Sequence, residues 1–115
     1  MYNFLLRPGY GSQKLIIEFS IENDDEIYIE VLLNAISSIS PKVTKIEDLW
    51  MNDETLLHLS STNGSFIISR DIWGFVFIMS DTNQQVISEI SELLEKDTYF
   101  EKKEVDYEKY RHLKS

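Results

Sequence analysis

Between residues 43 and 79 the chain reads as four strand-like runs in succession, 43–50, 55–61, 65–70 and 72–79. Turn signals divide them at Asn52-Asp53, at Thr62-Asn63-Gly64 and at Asp71. The middle one is a hairpin signal, because Asn-Gly accepts positive φ at low cost. Consecutive strands joined by short turns argue for an antiparallel meander, and this constrains the fold more than any other feature. The last run, Trp73-Gly-Phe-Val-Phe-Ile-Met79, is apolar on both faces. That predicts a central strand covered on both sides, with Trp73 in the core beside Phe75 and Phe77.

Two windows around the meander have helical spacing. The first is expected from about Asp24 to just before Pro41. Asn23 with Glu26 three residues later resembles a capping box. Tyr28, Leu32, Ala35, Ile36 and Ile39 form its stripe, with Tyr28 facing the sheet. The second is expected over residues 83–96, capped by Thr82 and Gln85. Val86, Ile87, Ile90, Leu93 and Leu94 make its apolar face. Residues 2–6, 14–21 and 100–105 read as further strands, the first two joined by a turn over residues 7–12. The order is therefore β-β-α-β-β-β-β-α-β. This predicts an α+β domain, an antiparallel β-sheet of about six to seven strands with two helices packed on it. At 115 residues a single domain, 1–115, is expected. The tail after residue 100, with five bases and four acids, either wraps the surface through Val105, Tyr107, Tyr110 and Leu113 or frays.

Charge restricts the partners. Twenty carboxylates face eleven Lys and Arg, a net charge of −9. From Leu15 to Pro41 there are six acids and no Lys or Arg. Glu47, Asp48, Asp53 and Glu54 then follow with Lys45 alone against them. Such a field repels polyanions and attracts basic partners. Nucleic acid and anionic membrane surfaces are not expected as ligands. No apolar run approaches the roughly 20 residues of a membrane span. The first residues place an apolar patch before the first charge, the wrong order for a signal peptide. The expected location is cytoplasmic.

The residues of chemistry are sparse. With no cysteine there is no disulfide, thiolate metal site or cysteine nucleophile. No serine lies in a Gly-x-Ser-x-Gly elbow. His58 sits in a strand between Leu57 and Leu59, on the face opposite theirs, and His112 lies in the charged tail. The acidic clusters at 23–26 and 48–54 lack the spacing of a calcium loop. Gly9-Tyr10-Gly11 is a lone Gly-x-Gly and reads as a turn. No cofactor or metal site is expected, and no catalytic residue. A small enzyme or ligand binder built around His58 is a third class of function, and a deep pocket there would favour it.

What remains is acid carrying aromatics: Asp48-Leu-Trp50, Asp71-Ile-Trp73, Asp106-Tyr107-Glu108 and Glu26-Ile-Tyr28-Ile-Glu30. Protein interfaces favour Trp and Tyr anchors within a polar ring. Trp50 is the best candidate for exposure. The candidate partner-binding residues are Glu22, Asp24, Asp25, Glu26, Glu47, Asp48, Trp50, Asp53 and Glu54. Asp24, Asp25 and Glu26 also have a structural duty at the start of the first helix.

The run Gly64-Ser-Phe-Ile-Ile-Ser-Arg-Asp-Ile-Trp-Gly-Phe-Val-Phe-Ile-Met79 is followed by Asn83-Gln-Gln-Val-Ile and then by Tyr99-Phe-Glu-Lys-Lys-Glu-Val-Asp-Tyr107. This strand-helix-strand half of the chain resembles the small immunity proteins of bacterial polymorphic-toxin and contact-dependent growth-inhibition systems. The resemblance implies a cytosolic antidote, and the chain is expected to be a monomer on its own. It would bind the toxic C-terminal domain delivered by a sister cell, often a nuclease with a basic cleft. No functional residue is carried over. The alternative is an acidic interaction module without a toxin partner, such as a regulatory subunit or an effector chaperone.

Overall fold

The computed structural model of the chain describes residues 2–8, 14–22 and 25–103. Gly9-Tyr10-Gly11, the Asn23 cap, Asp24, His112 and the aromatic residues of the tail lie outside the described residues. The elements are β1 (Tyr2–Pro8), β2 (Leu15–Ser20), α1 (Tyr28–Ala35), β3 (Lys42–Leu49), β4 (Glu54–Ser61), β5 (Gly64–Asp71), β6 (Phe75–Met79), α2 (Gln84–Lys96) and β7 (Phe100–Lys102). Single 3-10 turns follow α1 at Ser37–Ile39 and β3 at Trp50–Asn52.

The strands form one seven-stranded sheet in the order β3-β4-β5-β6-β2-β1-β7. The meander β3-β4-β5-β6 is present, every step antiparallel. β2 then joins β6, also antiparallel, with Ile17 opposite Ile78 and Phe19 opposite Val76. The sheet is not wholly antiparallel, because β7 pairs with β1 in parallel. The meander's central hairpin turns on Thr62 and Asn63. Gly64, at φ 121°, begins the next strand and takes the positive dihedral that side chains avoid.

Period-two alternation divides the sheet into two faces. Phe4, Ile17, Phe19, Leu59, Phe66, Ile68, Val76 and Ile78 are buried under the helices. From α1 come Tyr28 and Leu32, with Ile36 and Ile39 just after it; from α2 come Val86, Ile87, Ile90 and Leu94. Phe100 closes the core edge-on to Phe4 and Phe19, with ring centroids 6.4 and 5.7 Å away. Burying each of these large side chains stabilises the fold by about 1.5–3 kcal/mol.

The opposite face carries Arg7, Glu18, Ser69 and Phe77. Arg7 is only 3% exposed. Its Nε and Nη2 donate to Glu18 Oε1 at 2.8 and 2.5 Å, and its guanidinium stands 5.9 Å from the Phe77 ring centre. β6 is therefore central but not covered on both sides. Val76 and Ile78 face the helices, while Phe75 and Phe77 face away, exposed and half-buried.

Two helix starts differ from expectation. α1 begins at Tyr28, because Asp25 Oδ1 accepts the backbone N–H groups of Ile27 and Tyr28, both at 3.0 Å. Asp25 and Glu26 therefore precede the helix, whose N-cap is Ile27, and are not its first turn. At eight residues, α1 depends on its packing, since isolated helices of that length are marginal. α2 is capped by Asn83, not Thr82: Asn83 Oδ1 accepts the Val86 N–H at 3.3 Å. The Asn83 side-chain amide also donates to the Asn63 carbonyl at 2.6 Å, which ties the helix to the hairpin turn.

Candidate functional site

Three loops meet at one end of the sheet. The first follows β3, where the Trp50–Asn52 turn leads to Asp53 in the left-handed region at φ 54°. Aspartate tolerates that conformation better than most residues. The second joins β5 to β6. There Asp71 Oδ1 accepts the N–H groups of Trp73 and Phe75 at 3.0 and 2.9 Å, and Gly74 has φ 87°. This side-chain-braced turn lifts Trp73 out of the strand. The third loop leads from β2 to α1 and holds Glu22, Asp25 and Glu26.

Backbone hydrogen bonds join the three. Ile72 N–H donates to the Asp53 carbonyl at 3.0 Å, and Ile21 N–H donates to the Gly74 carbonyl at 2.7 Å. The sheet order thus brings together two acidic segments that lie more than twenty residues apart in the chain.

The apolar content of this end is exposed. Trp50 is 74% accessible and Trp73 65%, and Met51, Ile72 and Phe75 are exposed beside them. An open depression of about 430 Å³ lies here, with Asp48, Trp50, Asp53, Arg70 and Ile72 among its walls. Asp48, Thr55 and Arg70 occupy neighbouring register positions across β3, β4 and β5. The Arg70 guanidinium stands 5.2 Å from the Tyr28 ring centre. Burial raises the Tyr28 phenol above its ordinary pKa, and Arg70 acts in the opposite direction. Large apolar side chains gathered on a polar rim mark interaction surfaces more often than surfaces that meet only water.

The sequence-derived candidates divide. Trp50, Asp48 and Asp53 are exposed at this end, and Glu22 and Glu26 are exposed on the loop beside it. Asp25 is committed to structure: besides holding the Ile27 and Tyr28 N–H groups at the start of α1, its Oδ2 accepts the Tyr2 hydroxyl at 2.6 Å. Burial, and then that hydrogen bond to a carboxylate, push the Tyr2 phenol up from 10.0 to about 12. Glu54 is half-buried and accepts the Ser69 hydroxyl at 2.7 Å. Glu47 stands apart, because strand alternation turns it to the face opposite Asp48. There its Oε1 lies 2.5 Å from His58 Nε2 and 3.7 Å from Lys45 Nζ. The His58–Glu47 pair ties β3 to β4. Asp24 lies outside the described residues.

Trp73 is the main correction, since it belongs to this surface and not to the core. Asp71-Ile-Trp-Gly74 carried a signal for that placement: an Asx turn closing on glycine puts its third residue at the tip. Among the described residues, no group of three or more His, Asp or Glu is arranged to hold a metal ion. No described helix is long and apolar enough to cross a membrane. Comparison with protein-family models, curated proteins and solved structures finds no match to this chain.

Proposed function

We propose that the chain is an immunity protein that binds and neutralises a cognate toxin domain, a basic nuclease, from the cytosol of the cell it protects. The observation that supports this reading is the joint exposure of Trp50 and Trp73 among carboxylates on three linked loops. Two exposed indoles are suited to fill apolar recesses of a partner, where such residues dominate binding energy. The surrounding carboxylates steer a cationic protein to the surface and stand in for phosphates at a cleft that binds nucleic acid. Inhibition then follows by filling the active site or by blocking the substrate's path.

The test is co-expression with the toxin encoded immediately upstream. Cells survive with the native chain, and survival falls with the double change Trp50→Ala/Trp73→Ala. A toxin that stays lethal while this protein is abundant and folded would overturn the reading. Association with the toxin should also slow as salt rises, and with Asp48→Lys/Asp53→Lys. Asp25 is left out of that charge reversal, because changing it would disturb α1.

A further inference from the structure

The outer strands of the sheet are β3 and β7. β7 has three residues and β3 has eight. Among the described residues β3 pairs with β4 alone, so its outer peptide groups form a template for another strand. Such edges are commonly protected by lysines and bulges, and β3 has both: Lys42, Lys45 and an irregularity between Val43 and Lys45. These features discourage indiscriminate pairing. They also sort the charge. Lys42 and Lys45 occupy the first half of the strand, and Glu47 and Asp48 the second. The strand is therefore neutral within a chain of net charge −9.

A strand sorted in this way complements itself when run antiparallel. A two-fold axis through Ile46 sets Lys45 opposite Glu47 of the second copy and Glu47 opposite its Lys45. Lys45 and Glu47 share one face, since they lie across from His58 and Leu56 of β4. Lys45 Nζ and Glu47 Oε1 are already 3.7 Å apart within one chain, so two copies would assemble a compact two-by-two cluster of alternating charges. On the other face Ile46, 65% exposed, meets its own symmetry mate. Parallel pairing in register would instead set lysine beside lysine and carboxylate beside carboxylate.

We propose that β3 is a homodimerisation edge, pairing with β3 of a second copy in an isologous, antiparallel arrangement centred on Ile46. This departs from the monomer expected from the sequence, and it stands independently of the partner proposed for the tryptophan surface. The bulge shortens the regular stretch, so the dimer is weak, with Kd on the order of 10–100 µM.

Sedimentation of the full-length chain over a range of concentrations tests this, using charge variants on one exposed strand. Lys45→Glu alone and Glu47→Lys alone each weaken dimerisation by about tenfold, because each makes the edge repel itself. Mixed in equal amounts, the two variants form a heterodimer at least as tight as the native dimer, since a copy bearing two carboxylates meets a copy bearing two ammonium groups. Glu47→Lys also gives up the His58 contact, and recovery in the mixture shows that the fold survived that loss. A native chain that stays monomeric at millimolar concentration overturns the proposal. So does a dimer indifferent to both variants, or lost only with Trp50→Ala/Trp73→Ala, or a mixture that associates no better than its components.

Discussion

Ile72 donates its backbone N–H to the carbonyl oxygen of Asp53 at 3.0 Å, so the two tryptophan-bearing loops are held to each other and not merely adjacent. A platform set before binding loses little freedom when a partner arrives, and that favours affinity.

From this follows a separation of stability from binding. Trp50→Ala and Trp73→Ala should each leave unfolding free energy within about 0.5 kcal/mol of the native value, because the side chains are exposed. Each should weaken partner binding by about 2 kcal/mol, roughly 30-fold. Urea unfolding and titration calorimetry on the same samples make the comparison.

Gly64→Ala should destabilise the fold sharply. The backbone there has φ 121°, and an added Cβ would overlap the Asn83 side-chain amide. Asn83 would have to leave, giving up both the α2 cap and its bond to Asn63. The expected loss is about 2–4 kcal/mol, combining cap and backbone strain, read as a lower melting temperature.

Alkaline pH should weaken the fold through Tyr2. Its phenol titrates near 12 when folded, against 10.0 as the ordinary value. The folded chain thus holds a proton that the unfolded chain has released. The stabilisation is fully present below pH 10 and is lost as pH rises toward about 12. Unfolding midpoints measured from about pH 9 upward, where phenols begin to titrate, should fall more steeply in the native chain than in Tyr2→Phe.

Arg7→Met should cost about 2–4 kcal/mol, because it strands the half-buried Glu18 carboxylate. Adding Glu18→Leu should recover most of that loss, since an apolar pair replaces a desolvated ionic one. A double-mutant cycle in urea measures the recovery.

Which parts of this fold could be read from the chain follows from how local their causes are. α2 carries its own apolar stripe from Val86 to Leu94, so its extent was legible. The meander was legible because each turn joins neighbours. The Trp73-Phe75-Phe77 alternation does place Phe75 and Phe77 on one face, but periodicity cannot say which face the helices will cover. Nor could it separate Glu47 from Asp48 in function: one residue's difference sends them to opposite sides of β3. The union of the Glu22–Glu26 and Asp48–Asp53 regions depends on β2 joining β6, a pairing between distant segments that no local pattern announces.

The pairing of β7 with β1 orders events during synthesis. Tyr2–Pro8 gains its second neighbour only when Phe100–Lys102 arrives, after nearly all the described chain has been made. Phe100 also completes the ring cluster around Phe4 and Phe19. A nascent chain that has only reached α2 therefore exposes an unfinished aromatic core along an open strand. The last step of assembly is long-range, and long-range steps are slow. During that interval the outer edge of the first strand is open to capture by another chain or by a chaperone.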